Sequence, residues 1–280
     1  MSDRPLLVID GDSLAHRAYH ALPKSIRRAE GRPGNAIVGF ANFLLGLYDA
    51  EEPRAVLVGW DSLDTPTYRH EAFAEYQAGR VFDAELLEQL DLLPQLVEAF
   101  GFAAAKAPGY EADDFLAAAV AAEEARGGTV LVATSDRDSF QLVSERTTIL
   151  QPTRGVSQIA RVGPLEVRER YGVDPHQVPD FIALRGDPSD KLPGARGVGP
   201  KRAADLLAQY GTLEAMLAEG RFAAEAEDLR LFRRIATMDA SAPLFPLPDQ
   251  TPAWAEASDF ARGWGLNALA ERLAARAAEA

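Results

Sequence analysis

Acidic residues fall where apolar runs give way to polar sequence, and their spacing is the first sign of chemistry. Leu6-Leu7-Val8-Ile9 ends on Asp10, and Ala55-Val56-Leu57-Val58-Gly59-Trp60 ends on Asp61. Thr129-Val130-Leu131-Val132-Ala133-Thr134 leads through Ser135 to Asp136 and Asp138. Two further groups follow the same theme, Glu111-Ala112-Asp113-Asp114 and Asp187-Pro188-Ser189-Asp190. Each piece alone has an ordinary reading. An acid after a strand can cap a helix, acids in a first helical turn favour the macrodipole, and Asp-Pro-Ser is turn chemistry. As a set they allow more: Glu111 and Asp114, three apart, share a helix face, and Asp136 and Asp138, two apart, point the same way in an extended segment. Oxygen-rich donors of this kind suit Mg2+ or Mn2+, which share their remaining positions with water and substrate phosphate. Two such ions can activate a water and stabilise the leaving oxygen of a phosphodiester. Asp12 is an extra acid to which spacing gives no role.

The elements that must position these acids are strands. Three continuous apolar runs suit a parallel sheet buried on both faces. Helical patterns at 36–50, 83–100 and 113–126 lie between them, so the alternation predicts right-handed crossovers and an α/β fold with a central, mostly parallel sheet flanked by helices. Ligands bind such sheets at the carboxyl ends of the strands, which is where Asp10, Asp61, Asp136 and Asp138 would meet. From Val162 onward short helices are expected at 164–171, 175–185, 200–210 and 213–218. A Pro-rich connector, Pro243 to Pro252, leads to a last amphipathic helix around 260–278.

The balance of 29 basic against 42 acidic residues gives a net charge of −13, which opposes a nucleic-acid partner unless many acids are gathered around cations. Cysteine is absent, which excludes disulfides and thiolate metal sites. His16, His20, His70 and His176 are dispersed and lack the spacing of a zinc site. No apolar run approaches the ~18 residues of a membrane span, and Met1 to Pro5 carries no signal-peptide pattern, so the expected location is cytoplasmic. Two basic regions can hold a phosphate backbone. Gly197-Val198-Gly199-Pro200-Lys201 precedes a helix, so its N–H groups can approach phosphate. Tyr68-Arg69-His70 through Tyr76-Gln77-Ala78-Gly79-Arg80 mixes aromatic rings with positive charge, either for stacking on bases or as a solvated helix face. Arg17 is either a phosphate clamp or a surface arginine.

In this order the motifs resemble the 5′-nuclease domain of bacterial DNA polymerase I and the wider flap-endonuclease family. The resemblance rests on Val8-Ile9-Asp10-Gly11, Trp60-Asp61, Tyr68-Arg69-His70-Glu71, Pro108-Gly109-Tyr110 with the acids at 111–114, Thr134-Ser135-Asp136-Arg137-Asp138, and Gly186 through Lys201. It implies a PIN-like 5′-nuclease fold with a core at 1–160, a helical arch within about 62–90, a helix–hairpin–helix subdomain at 161–240, and a connector and C-terminal helix at 241–280 packing on the core. It implies a 5′-3′ exonuclease or flap endonuclease using two or more Mg2+ or Mn2+ ions. Asp10, Asp61, Glu111, Asp113 and Asp114 would line one metal subsite, and Asp136, Asp138, Asp187 and Asp190 a second. Arg17, Arg69, Tyr76, Arg80, Gly197, Gly199, Lys201 and Arg202 would contact DNA carrying a 5′ flap, nick or single-strand/duplex junction, and K+ would sit at the hairpin. With 280 residues there is no room for polymerase or proofreading domains, so a stand-alone, monomeric nuclease is expected. Where relatives usually carry a lysine after the arch tyrosine, this chain has Gln77; Lys191 stands for a common Asn and Arg202 for a common Thr.

Two other classes compete. Asp10-Gly11-Asp12 is similar to the Asp-x-Asp of haloacid-dehalogenase phosphatases, whose first Asp is a nucleophile, but this leaves the acids at 111–114 and the glycine hairpin unexplained. A DNA-junction binding protein with weak catalysis would fit the missing lysine, but gains nothing from negative charge beside a phosphate.

Overall fold

The computed structural model describes residues 4–79, 81–154 and 158–279; Arg80, expected to contact DNA, lies outside them. Six strands form one sheet: β1 (Leu6–Asp10), β2 (Ala55–Gly59), β3 (Ala103–Ala105), β4 (Val130–Ala133), β5 (Thr147–Arg154) and β6 (Gln158–Val162). Their order is β3-β2-β1-β4-β5-β6. The first five run parallel and β6 returns antiparallel along β5. Every residue of β1, β2 and β4 is buried, as a sheet covered on both faces requires. The register sets Asp10 opposite Gly59 and Ile9 opposite Ala133. The three strands therefore end level, and Asp61 and Asp136 emerge just past the same edge as Asp10.

Alternation along β1 divides the core. Leu6 and Val8 face one hydrophobic cluster while Leu7 and Ile9 face the other. On the first face lie α6 (Ala112–Ala125) and the short helices α7 (Pro164–Tyr171), α8 (Val178–Arg185), α9 (Pro200–Tyr210), α10 (Leu213–Ala218) and α11 (Ala226–Ala236), through Phe115, Val167, Phe181, Leu207, Met216 and Leu229. On the second lie α1 (Gly11–Ala21), α2 (Asn35–Glu51), α4 (Ala84–Leu90), α5 (Leu93–Ala99), α12 (Trp254–Gly263) and α13 (Asn267–Glu279), through Leu14, Phe40, Leu86, Leu96, Ala257 and Leu273. The short α3 (Tyr68–Ala72) precedes α4. Among the described residues no helix is long and apolar enough to cross a membrane.

Two expected single helices are broken. The 83–100 stretch divides into α4 and α5, with Pro94 in the first turn of α5. The C-terminal stretch divides into α12 and α13 at Gly265, whose φ is +74° and where a Cβ would lie 2.8 Å from the Ala29 nitrogen. Within 62–90, α3 and α4 are the helices among the described residues. The Pro-rich connector is fastened along β2: Gln250 N–H donates to the Arg54 carbonyl and Val56 N–H to Gln250 Oε1, both at 2.8 Å. Arg54, 2% exposed, pairs with Glu123 of α6 and donates to the Leu247 carbonyl.

Candidate active site

Strand ends, the start of α6 and the loop after α8 meet over one cavity of about 460 Å3. Seven of the nine expected acids line it: Asp10, Asp61, Glu111, Asp113, Asp136, Asp138 and Asp190, and Asp12 joins them. Asp10 ends β1 and caps α1, its Oδ1 accepting the Ser13 N–H at 3.0 Å and its Oδ2 the Thr134 hydroxyl at 2.7 Å. Asp61 Oδ1 accepts the N–H of Ala112, the first residue of α6, at 2.7 Å. That approach of α6 to β2 needs glycine, since a Cβ on Gly59 would come within 2.7 Å of the Ala112 carbonyl. A larger groove of about 830 Å3 runs between Tyr68 and α11, but none of the strand-end acids reaches it.

The other two acids sit behind the cavity. Asp114 is fully buried and accepts from Arg69, Tyr68, and the N–H groups of Glu111 and Asp239. Asp187 folds its own loop, accepting from Ser189 N–H at 2.8 Å and from Arg185 at 3.2 Å, while its backbone exchanges two 2.8 Å bonds with Leu192. Neither is among the residues lining the cavity.

Burial and mutual repulsion govern the charge state. Burial, then Asp61 and Asp136, raise the Asp10 carboxyl to about 7 despite its two hydrogen bonds. Burial and the neighbouring acids also hold Asp12, Asp113 and Asp138 well above the usual carboxylate range. One cation answers part of this. Arg69 is 1% exposed and reaches Asp114 at 2.8 Å, Asp113 at 3.1 Å and Glu111 at 3.3 Å, with its Nε donating to the Ile235 carbonyl at 3.0 Å. Burial works against its charge, yet Asp113, Glu111 and Asp114 together keep it above the ordinary guanidinium value.

Arg69 and Tyr76, expected to touch a passing strand, are buried against the acids and line the cavity. Tyr76, 3% exposed, donates its hydroxyl to Glu111 Oε2 at 2.9 Å, and burial pushes that hydroxyl's pKa up so that it stays a donor. Glu111 Oε1 accepts the Thr67 hydroxyl at 2.7 Å. Gln77, at φ +49°, donates from one amide nitrogen to the Tyr76 hydroxyl at 2.7 Å and to Asp190 at 3.1 Å. Tyr76 and Gln77 thus bridge the Glu111 side of the cavity to the Asp190 side. The counter-ion role of Arg69 and the Thr67–Glu111 contact escaped the sequence reading, because neither follows from local spacing. Arg17 lies half-buried on α1. Gly197 adopts φ +71° with open space around it, Gly199 caps α9, and Lys201 and Arg202 are exposed on its first turn.

The donor set suits a hard divalent cation. It is all oxygen, and Asp113 Oδ1 is buried without a hydrogen-bond partner. Among the described residues no three side chains already converge as a closed metal cage, so water and phosphate would have to complete the coordination, as Mg2+ commonly requires. The phosphatase alternative needs Asp10 with Asp12, whereas the cavity also gathers Asp61, Glu111, Asp113, Asp136, Asp138 and Asp190, which that chemistry does not use.

Acids delivered by three parallel strand ends and a helix start, beside a helix–loop–helix unit, define a site of the 5′-nuclease class. Residues 5–172 match the family described as 5′-3′ exonuclease, N-terminal resolvase-like domain, and residues 173–256 that described as 5′-3′ exonuclease, C-terminal SAM fold. The chain belongs to the 5′-3′ exonuclease family. It is similar to DNA polymerase I of Mycobacterium tuberculosis (strain CDC 1551 / Oshkosh), 42% identical over 214 residues, or 76% of this chain and 24% of that protein. Thermostable DNA polymerase I of Thermus thermophilus is 39% identical over 250 residues, 85% of this chain and 29% of that protein. The chain thus spans about a quarter of the length of these relatives. Among solved structures, T5 5′-exonuclease with bound zinc shares the fold at TM-score 0.69 and 18% identity, with 99% of both chains covered. The catalytic core of Rad2 in complex with DNA does so at 0.60 and 14%, covering 97% of this chain and 90% of that one.

Proposed function

We propose that the protein is a structure-specific 5′ nuclease, a 5′-3′ exonuclease or flap endonuclease, acting on DNA with a 5′ flap, nick or single-strand/duplex junction. The observation that carries this reading is the gathering of eight acids over one cavity at the carboxyl edge of the sheet. A protein that only bound DNA would gain nothing from buried negative charge beside a phosphate. Divalent cations, Mg2+ or Mn2+, held among Asp10, Asp61, Asp113, Asp136, Asp138 and Asp190 would supply positive charge at the scissile phosphate and lower the pKa of an attacking water. The chain's own part is positional. β1, β2 and β4 fix where the carboxylates stand, Arg69 and Thr67 hold Glu111 and Asp113 in place, and Tyr76 with Gln77 limits the cavity on the arch side. Lys201 and Arg202, exposed at the start of α9, would hold the duplex backbone. Hydrolysis would leave a 5′-phosphate on the product.

The test is a 5′-labelled flap substrate with Mg2+, Mn2+ or EDTA, comparing the native protein with Asp136→Asn. That variant keeps an acceptor for the Asp138 N–H, bonded at 2.9 Å. Cleavage is expected with metal only, and to fall about 100-fold or more in the variant, the size of effect seen when one transition-state contact is lost. Metal-independent cleavage, or an unchanged rate in Asp136→Asn, would sink the proposal.

A further inference from the structure

Asp12, in the first turn of α1, is not needed as a cation ligand in the reading above, yet it is 7% exposed and lines the cavity. Its Oδ2 accepts the backbone N–H of Asp61 at 2.7 Å. The reason this donor is available lies in the sheet. Trp60 N–H still bonds to the Ala105 carbonyl at 2.9 Å, but β2 has ended at Gly59 and Asp61 stands past it. The close approach is built in at the preceding residue, where a Cβ on Gly11 would lie 2.5 Å from the Trp60 ring. Asp61 then passes the constraint on, because its Oδ1 accepts the Ala112 N–H at 2.7 Å.

We propose that Asp12 is a positioning residue: by accepting the main-chain N–H of Asp61 it fixes the direction in which the Asp61 carboxylate enters the cavity. The chain Asp12–Asp61–Ala112 ties the start of α1, the end of β2 and the start of α6 into one frame. The function lies in the acceptor and not in the charge, because an amide oxygen in the same place can accept the same bond. Outer partners of this kind orient a ligand without touching the metal, and their loss costs about 10- to 100-fold in affinity. The inference rests on the cavity being a divalent-cation site.

The experiment uses the full chain, 15N-labelled, with Asp12→Ala and Asp12→Asn. Two readouts are taken: hydrogen exchange of the Asp61 amide in EDTA, and Mn2+ affinity by calorimetry at fixed pH. In Asp12→Ala the Asp61 amide should exchange at least about tenfold faster and Mn2+ should bind about 10- to 100-fold more weakly. Asp12→Asn, nearly the same shape, should protect the amide and bind Mn2+ far more tightly than Asp12→Ala. Equal losses in the two variants would overturn the acceptor role in favour of charge, and Ala binding like the native protein would overturn any role. Should Asp12→Ala not fold, Asp12→Asn decides: a tenfold or greater loss of affinity there overturns the proposal. A native protein that binds no Mn2+ overturns the cation reading itself, a result distinct from any difference between variants.

Discussion

The Asp10 carboxyl makes the metal-free protein self-opposing, and Asp10→Asn should expose this. Asp10 titrates at about 7 in the folded chain against an ordinary value of 3.8. The folded state therefore binds more protons than the unfolded state between those values. The stability this group contributes is present in full below about pH 4 and is lost as pH rises to about 7, beyond which its effect is constant. The difference of 7 − 3.8 is 3.2 pKa units, which at ~1.36 kcal/mol per unit amounts to about 4 kcal/mol. Asn removes the charge while keeping an oxygen to cap Ser13, so the cost should disappear with the helix cap retained. In EDTA at pH 8, Asp10→Asn should be more stable than the native protein by up to about 4 kcal/mol, a rise in Tm of roughly 8–16 °C. Its stability should also vary less between pH 4 and 7. Mn2+ or Mg2+ should narrow that gap by about 2.7 kcal/mol at roughly 100 times the native Kd and close it near roughly 1,000 times Kd, where a ligand adds about 4.1 kcal/mol to the form that binds it. Urea titrations across pH, with EDTA and with metal, measure both effects. A variant less stable than the native chain at pH 8 in EDTA, or one with an undiminished pH slope, would refute the reasoning.

Arg69→Gln leaves Asp114, Asp113 and Glu111 buried without their cation, and breaking a buried pair this way costs about 3–5 kcal/mol; a Tm drop below about 2 °C at pH 7.5 in EDTA would show that Arg69 is a surface contact after all. Gln77→Lys places a full charge beside Asp190, 3.1 Å from the present amide, and should speed flap cleavage about tenfold, or ~1.4 kcal/mol of barrier; single-turnover rates that stay flat or fall would count against it. Gly265→Ala forces a methyl toward the Ala29 nitrogen at a φ of +74°, and should destabilise by about 1–3 kcal/mol in urea titrations without changing Mn2+ affinity.

The strand ends were legible because burial on both faces leaves an unbroken apolar run, and the acid that ends each run is visible in one dimension. β1, β2 and β4 carry that signature. β3 is three alanines, and β5 mixes Thr, Gln and Pro with Ile and Leu, so neither gives a periodic signal strong enough to separate from loop. The break in the C-terminal helix had a visible cause in Gly263-Trp264-Gly265, but the need for it arises from Ala29, more than 200 residues away in sequence. Helix propensity over 260–278 cannot register a contact of that kind.

The site was legible in its acids and not in what restrains them, and the difference is physical. A carboxylate cluster announces itself by composition, whereas its counter-ion needs only to reach it in space. Arg69 looks like a member of a basic, aromatic surface segment, yet α3 turns it inward onto Asp113 and Asp114 from 44 and 45 residues away. Tyr76 is turned the same way, its hydroxyl donating to Glu111. The charge of −13 is then not spread evenly in its consequences. Asp114 is paired with an internal arginine, Asp187 is engaged by its own loop and Arg185, and burial opposes the ionisation of Asp10, Asp12, Asp113 and Asp138, which face the cavity. Arg69 answers the α6 side of the cavity, whereas burial and the neighbouring acids still oppose ionisation of Asp10 at the end of β1, so a cation bound beside that strand end would relieve the opposition.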